Sequence, residues 1–208
     1  MLYKFLSRLL RLPRRLRQIF YIFWNRIKFR IYGVHYGSNM RVYNKMYITI
    51  HHSAQVNIGE NFVFTNGEFF NPLCRNIRGG IYAASNARVK IGNNVGLSST
   101  CIWANCSISI GNFVNIGGDC ILLDTDAHNL NYKVRQTPED YLTANNIPIV
   151  IEDDVLIGTR CIVLKGVTIG ARSIIGSGSV VTKSIPSDCI AAGNPCRVIR
   201  FINQDDNK

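Results

Sequence analysis

The stretch IEDDVLIGTRCIVLKGVTIGARSIIGSGSVV, residues 151–181, carries a branched apolar residue at every sixth position. The residues of this row are Ile151, Ile157, Val163, Ile169, Ile175 and Val181. An α-helix repeats every 3.6 residues and a strand every two, so neither element alone produces a period of six. Self-similarity at a short fixed period is typical of solenoids, in which each coil packs on the next.

The period of six predicts a triangular prism in which three hexads close one coil. Each hexad is a short strand followed by a corner, and neighbouring coils lie about 4.8 Å apart, the ordinary spacing of paired strands. Ile151 and Ile169 are eighteen residues apart, which is three hexads. Ile91 and Ile110 are nineteen apart, so one hexad there is expected to have gained a residue. The branched residues are expected to point into the prism.

A second inward row is expected four positions after the first. Its residues are Val95, Cys101, Val114, Cys120, Val155, Cys161, Val167, Ser173 and Ser179. Three of the seven cysteines lie in this row, where a free cysteine behaves as a small apolar residue. The cysteines are odd in number and form no Cys-x-x-Cys pair. Packing roles in a reducing compartment are therefore favoured over disulfides or a zinc site.

The hexads stop between residues 124 and 147, where the sequence opens DTDAHNLNY. Asp124, Asp126 and His128 are alternate residues that share one side if this segment is extended. One interpretation is a polar surface loop in which the histidine is incidental. The other makes His128 a general base, because histidine exchanges protons near neutral pH and a carboxylate can orient its ring. An Asp-x-Asp-x-His metal site is a third interpretation, but the sequence offers no further ligand, so no metal is expected.

This pattern resembles the hexapeptide-repeat acyltransferases over about residues 42–202. The resemblance rests on the repeat and on the segments DTDAHNLNY, SGSVVTKSIP and AAGNPCRVIR, which are similar to those of galactoside, maltose and capsular-polysaccharide O-acetyltransferases. It implies an all-β fold, a left-handed parallel β-helix. It also implies direct transfer of an acetyl group from acetyl-CoA, as co-substrate, to a sugar hydroxyl. His128 would deprotonate that hydroxyl, with Asp126 or Asp124 in support.

The same resemblance implies residues that contact the reacting groups. A backbone N–H at Thr159, in LIGTR, would stabilise the thioester oxygen, although Leu156 stands where many relatives have tryptophan. Asn105, in WAN, would contact the acceptor. An asparagine that only bonds within a corner turn is an equal alternative.

For the coenzyme, the resemblance implies a channel at the C-terminal end of the prism. Ser177, Thr182 and Lys183 would line the path of the pantetheine and phosphates, and Arg197 would approach a phosphate of CoA. Relatives are homotrimers with active sites between neighbouring prisms, so a homotrimer is expected.

The positive charge of the chain is concentrated at its front. Residues 1–59 contain eleven Lys and Arg and no Asp or Glu, whereas the remaining thirteen basic residues match thirteen acidic ones. Residues 1–34 combine this charge with helical apolar spacing, and Pro13 is expected to separate a short first helix from a longer second one. Such a basic amphipathic segment suits an anionic membrane surface. The alternative is a cap over the open end of the solenoid. No nucleic-acid partner is expected, because the body offers no basic groove.

The sequence thus predicts an amphipathic segment (1–34), a β-helix (35–202) with an inserted loop (124–147), and a tail (203–208). The expected function is acetyl-CoA-dependent O-acetylation of a sugar in a bacterial surface-polysaccharide precursor. The expected location is cytoplasmic, on the inner face of the cytoplasmic membrane. Two alternatives are N-acylation of an amino sugar and a non-catalytic scaffold held at the membrane.

Overall fold

Three parallel sheets form the walls of a triangular prism in the computed structural model, which describes residues 2–67, 70–74 and 77–202. Helix α1 (Leu2–Ile31) comes first. Six coils of three strands each follow it within the described residues. The predicted tail, residues 203–208, lies outside the described residues.

The strands follow one another coil by coil, and each coil places one strand in each sheet. Coils one and two are β1 (His35–Tyr36), β2 (Arg41–Tyr43), β3 (Tyr47–Ile50), β4 (Gln55–Ile58), β5 (Val63–Thr65) and β6 (Gly80–Ala83). Coils three and four are β7 (Arg88–Ile91), β8 (Gly96–Ser98), β9 (Cys101–Ala104), β10 (Ser107–Ile110), β11 (Asn115–Ile116) and β12 (Ile121–Leu123). Coils five and six are β13 (Ile149–Ile151), β14 (Leu156–Ile157), β15 (Ile162–Leu164), β16 (Thr168–Ile169), β17 (Ile174–Ile175) and β18 (Val180–Val181). A terminal hairpin, β19 (Cys189–Gly193) and β20 (Cys196–Phe201), ends the described chain.

Strands of successive coils pair in parallel, so the predicted parallel β-helix is confirmed. The first sheet runs β1-β4-β7-β10-β13-β16, and the third runs β3-β6-β9-β12-β15-β18. The second sheet runs β2-β5-β8-β11-β14-β17 and continues into the hairpin. We call the turns between the sheets, in chain order, the first, second and third corners. In coil five they are residues 152–155, 158–161 and 165–167.

The branched row predicted from the period of six fills the interior of the prism. All six of its residues between 151 and 181 are at most 1% exposed. Cys120, Cys161, Ser173 and Ser179 of the second row are equally buried. Each coil therefore contributes to one continuous apolar core, as a solenoid requires.

The irregular interval between Ile91 and Ile110 differs in detail from the prediction. Leu97 and Ile102 occupy equivalent inward positions in neighbouring sheets although only five residues separate them. The next interval, to Ile110, is eight residues, so one hexad lost a residue and the following one gained two. The shortened corner places Thr100, which is buried, in the inward position. Cys101 was predicted to point inward but is only partly buried, at the outer face of β9.

A second interruption, residues 66–79, separates β5 from β6 and was not anticipated. Asn66 anchors its ends by accepting the Gly79 N–H through its side-chain oxygen at 2.9 Å. The hydroxyl of Ser99 donates to the carbonyl of Ile77 at 2.9 Å. A 3₁₀ turn at Pro72–Cys74 lies within it. The inserted loop at 124–147 contains two further 3₁₀ turns, Val134–Gln136 and Tyr141–Thr143.

Helix α1 covers the open end of the first coil. The Asn25 side chain is fully buried and donates to the carbonyls of Val42 and Asn44, at 3.0 and 2.9 Å. Arg26 and Lys28 donate to the carbonyls of Met40 and Met46. Because alternate carbonyls of an edge strand point away from the next strand, these bonds place the helix beyond the end of the prism. The helix therefore covers the first coil, in the position that the capping alternative expects.

The break predicted at Pro13 is wrong, because one continuous helix spans Leu2–Ile31 with Pro13 inside it. A proline removes one N–H donor from the helical ladder, and Pro13 itself lies among exposed residues, 12–16.

Candidate functional site

The root of the inserted loop is held by Asp124 at the third corner of coil four. Its side chain is fully buried, and its carboxylate accepts the backbone N–H groups of Asn105, Cys106 and Ser107 at 2.7 to 2.9 Å. These three groups lie at the corresponding corner of coil three and at the first residue of β10. Asp124 therefore joins two corners, and its carboxylate oxygens are committed to the backbone rather than to His128.

His128 is oriented by Asp140, a residue that the sequence analysis did not single out. The Nδ1 atom of His128 lies 2.5 Å from Oδ2 of Asp140, and the other carboxylate oxygen accepts the Asn129 N–H at 2.8 Å. The His128 side chain is 66% exposed, whereas that of Asp140 is 15% exposed. Asp140 begins the second 3₁₀ turn of the loop, twelve residues from the histidine, so neither spacing nor periodicity relates the two in the sequence.

This contact fixes which ring nitrogen of His128 carries the proton. The hydrogen bond with His128, and then that from the Asn129 N–H, hold the pKa of Asp140 below its ordinary value. An ionised carboxylate only accepts hydrogen bonds, so Nδ1 of His128 is the donor. Nε2 then carries the lone pair, on a side chain that is 66% exposed.

Asp126 faces the coil below rather than His128. Its Oδ1 lies 3.3 Å from Nζ of Lys165, which stands at the third corner of coil five. Its Oδ2 is buried and has no hydrogen-bond partner among the described residues. A buried carboxylate oxygen is an acceptor for a hydroxyl, because leaving it without a partner has an energetic cost.

Asn105 lies beside the loop root and links it to an aromatic pair. Its side-chain oxygen accepts the indole N–H of Trp103 at 3.1 Å, and its amide nitrogen lies 3.5 Å from the hydroxyl of Thr125. Trp103 packs on Tyr82 with ring centroids 4.3 Å apart. The Asn105 side chain therefore bonds within its own corner, to Trp103, and also faces the loop, while its backbone N–H donates to Asp124 in the next coil.

Thr159 and Ser177 lie together at the second corner, in coils five and six. The Thr159 N–H donates to the Ser177 hydroxyl at 3.2 Å. A Cβ at Gly158 would lie 2.6 Å from the Ser177 nitrogen, so the Ile-Gly pair is needed for these corners to stack closely. Thr159 and Ser177 line a groove of about 400 Å³ on the outer face of the second sheet, together with Leu156.

The predicted coenzyme residues are divided between two corners. Ser177 is at the second corner, and the tip of the terminal hairpin, which precedes Arg197, is tied there by the bond from the Gly193 N–H to the Ser179 hydroxyl at 3.1 Å. Thr182 and Lys183 follow β18 and therefore lie at the third corner, in the same column as the loop root.

The base and the predicted acyl-stabilising N–H are consequently not brought together within one chain. His128 belongs to a loop that leaves the third corner, and Thr159 lies at the second corner. The third sheet lies between them, with a width of roughly 10 Å for the three extended residues of β15 and more with the corners. Within the described residues, moreover, no three His, Cys, Asp or Glu side chains are grouped so as to hold a metal ion.

Comparison with known proteins defines the class of this β-helix. Residues 148–183 match the family described as bacterial transferase hexapeptide (six repeats). A galactoside acetyltransferase solved in complex with coenzyme A has 29% sequence identity and a TM-score of 0.57, covering 86% of this chain and 70% of that one. A hexapeptide-repeat acetyltransferase from Vibrio cholerae O1 biovar eltor, complexed with acetyl coenzyme A, has 25% identity and a TM-score of 0.54, covering 86% and 76%.

The resemblance stated from the sequence is thereby confirmed: residues 148–183 carry the hexapeptide repeat of bacterial transferases, and the prism is similar in fold to solved hexapeptide-repeat acetyltransferases. Galactoside O-acetyltransferase from Escherichia coli (strain K12) is 37% identical over 133 residues, which are 61% of this chain and 60% of that protein. The chain spans between 42% and 60% of the length of three such curated relatives.

The contact between Asp140 and His128 predicts how the carboxyl group titrates. Because the folded-state pKa of Asp140 is lowered, its hold on the loop is complete above the ordinary value of about 3.9 and is lost as the pH falls through the lowered value. In His128→Ala the largest cause of the shift is gone, so the midpoint should rise toward the ordinary value. Carbon-13 NMR of the Asp140 carboxyl measures this. Tyr132→Ala, elsewhere on the loop, is the control, and equal midpoints in His128→Ala and the unmodified protein would refute the contact.

Proposed function

We propose that this chain transfers an acetyl group from acetyl-CoA to a hydroxyl of a sugar, with His128 as general base. The observation that carries the proposal is the exposed His128 ring held at Nδ1 by Asp140, on a loop inserted into a hexapeptide-repeat prism. Support for the donor comes from solved structures of similar fold in complex with acetyl coenzyme A or coenzyme A. Support for a sugar acceptor comes from the galactoside O-acetyltransferases among the relatives.

In the proposed reaction the acceptor oxygen attacks the thioester carbonyl carbon while its proton passes to Nε2 of His128. The tetrahedral intermediate expels the thiolate of CoA, which takes the proton from the imidazolium. Asp140 stabilises the imidazolium formed in between. Asp126, whose side chain is 23% exposed beside Lys165, accepts a hydrogen bond from a second hydroxyl of the acceptor and so orients it.

Direct transfer is favoured over an acyl-enzyme because the thiol beside the loop is not activated, and Cys161 at the second corner is fully buried although the hydrogen bond with Cys120 lowers the pKa of its thiol to about 7. Cys106 is at the third corner, but burial and the charge of Asp124 raise the pKa of its thiol to about 11. A nucleophilic cysteine needs the opposite shift. Thr159 supplies the N–H for the thioester oxygen once the hydroxyl of Ser177, its present acceptor, rotates away.

The homotrimer is part of the proposal because two corners must meet. If the third corner of one chain faces the second corner of the next, His128 of one protomer reaches the groove that contains Thr159 of its neighbour. The third sheet then faces the threefold axis. Its outer face supports this arrangement, since in coils four and five it presents Ile121, Leu123, Ile162 and Leu164. The outer face of the first sheet is polar by contrast, with Arg88 and Lys90.

Attachment to an anionic membrane through α1 is also proposed. The face of α1 opposite Asn25 and Phe29 carries exposed apolar residues, namely Leu12, Leu16, Ile19, Phe20, Phe23, Trp24, Ile27 and Ile31. Basic residues flank this face, and no acidic residue precedes Glu60. Within the described residues no helix is both long and apolar enough to cross a bilayer. A helix of this kind lies in the interface instead, which suits an acceptor that is a bacterial surface-polysaccharide precursor on the inner face of the cytoplasmic membrane.

Removing the base is the direct test of the activity. His128→Ala should lower turnover by about two to four orders of magnitude, the range of general-base catalysis, with coenzyme binding intact. Acetyl transfer to galactosides and maltose, followed by release of the CoA thiol, measures it. His52→Ala removes another exposed histidine and serves as the control. Near-normal turnover in folded His128→Ala would refute the assignment, and a folded wild type that transfers to no sugar or amino sugar would favour the scaffold alternative.

Mixing two inactive variants tests the intersubunit site. His128→Ala damages only the third corner, and Ser177→Trp fills only the groove at the second corner. If each site joins corners of two chains, co-expression should restore about a quarter of the wild-type activity, since one random pairing in four joins two intact corners. If both corners of a site come from one chain, mixed assemblies should stay inactive. Light scattering checks that the assemblies form.

Vesicle binding tests the membrane proposal. Each Lys or Arg near an anionic surface contributes about 1 kcal/mol, which salt screens, whereas burial of Phe20 and Phe23 is not screened. Binding to vesicles with phosphatidylglycerol should therefore weaken at high salt without vanishing. Vesicles of phosphatidylcholine alone should bind poorly. Phe20→Ser with Phe23→Ser should lose the salt-resistant part, and wild-type protein that ignores anionic vesicles would rule out this surface as a membrane site.

A further inference from the structure

The direction in which the apolar face of α1 points is set by the bonds on its other side. Asn25, Arg26 and Lys28 donate to carbonyls of the first coil that point along the prism axis, away from coil two. In agreement, the neighbouring Arg41 N–H points the other way and pairs with Phe62 of coil two. The helix thus lies across the end of the prism.

On a helix, positions 16, 20, 23 and 27 form one stripe, and positions 25 and 29 lie on the opposite side. The first four are 46 to 65% exposed, whereas Asn25 and Phe29 are fully buried against the first coil. The exposed apolar face therefore points straight out along the prism axis. If this face rests on a membrane, the axis of the prism stands perpendicular to the bilayer.

The perpendicular orientation of the prism sets the distance of the site from the membrane. The loop that contains His128 leaves coil four, three coil spacings from the coil that α1 covers. Three spacings of about 4.8 Å and a helix-to-coil distance of about 10 Å place the loop root roughly 25 Å from the axis of α1. Coils one to three, with α1 at their end, lie between the site and the lipid.

We infer that the acceptor is a lipid-linked oligosaccharide and that the acetylated sugar is several units away from its lipid anchor. A sugar attached directly to the lipid stays at the membrane surface and cannot reach His128 on a prism that stands upright. A longer chain spans the distance while its anchor remains in the same bilayer that holds α1. This inference rests on the proposed function and adds a minimum length of the acceptor.

The orientation of the prism on the membrane can be tested without any sugar substrate. Single dyes are placed on cysteines introduced at Ser38 in coil one, Leu130 on the loop and Ile199 on the terminal hairpin, all of them exposed positions. Energy transfer to an acceptor dye in vesicles of phosphatidylglycerol and phosphatidylcholine should decrease in that order. Equal transfer from the three positions, or the reverse order, would overturn the upright arrangement.

The acceptor length is tested with neoglycolipids that carry one, three or six β-linked galactose units in the same vesicles, beside the same saccharides free in solution. The lipid-linked monosaccharide should be acetylated at least tenfold more slowly than its free counterpart, and the hexasaccharide as fast in either form. The full-length double variant Phe20→Ser, Phe23→Ser should acetylate the lipid-linked saccharides of all three lengths at similar rates, because it is no longer attached to the vesicle. Equal rates for the lipid-linked and free monosaccharides would overturn the inference while leaving the acetyl transfer itself established. If no saccharide is acetylated even when free, the proposed activity fails, and the energy-transfer order still decides the orientation.

Discussion

The backbone hydrogen-bond ladder between coils is the interaction on which the rest of this structure depends. Each strand pairs in parallel with the strand above and below it, so a coil cannot shift without breaking bonds on three walls at once. The inward row sets the rotation of every coil, and the ladder sets its height. A functional side chain at a corner therefore has a position along the axis that is defined by its coil number alone, which is how residues far apart in sequence, such as Asn105 and Lys165, come to share one column with His128.

Loops enter this framework where the ladder permits it. Both interruptions leave from corners, because a strand interior has no free backbone groups to spare. The loop at 124–147 is closed at its root by Asp124 and by the pairing of Thr125 with Asn146. His128 therefore lies close to the fixed root of the loop rather than at its tip. The carboxylate that orients it comes from the returning half of the loop.

The sequence was sufficient for the elements that repeat. The row from Ile151 to Val181 predicts the prism, its core and the parallel pairing, because burial of one residue on each of three walls produces a period of six. It was insufficient wherever a residue was added or lost: Cys101 was placed inward, although Thr100 takes that position. The partner of His128 was also missed, since a contact between Asp140 and His128 depends on how a non-repeating loop folds back, and nothing periodic encodes that. The sequence also did not show that Lys183 lies at the third corner and Ser177 at the second, because that assignment requires the number of residues in every coil.

The ends of the ladder are closed in two different ways. Side chains of α1 occupy the outward carbonyls of the first coil, and the antiparallel pairing of β19 with β20 reverses the chain beyond the last. A parallel coil offers complementary donors and acceptors at its two ends, so bare ends would join head to tail and molecules would grow into filaments. The helix therefore limits the stack to a single molecule, and that duty is independent of whatever its opposite face meets. Substitutions on the side of α1 that holds Asn25 would expose the end of the ladder and reduce solubility, whereas substitutions on the opposite side would leave this end closed.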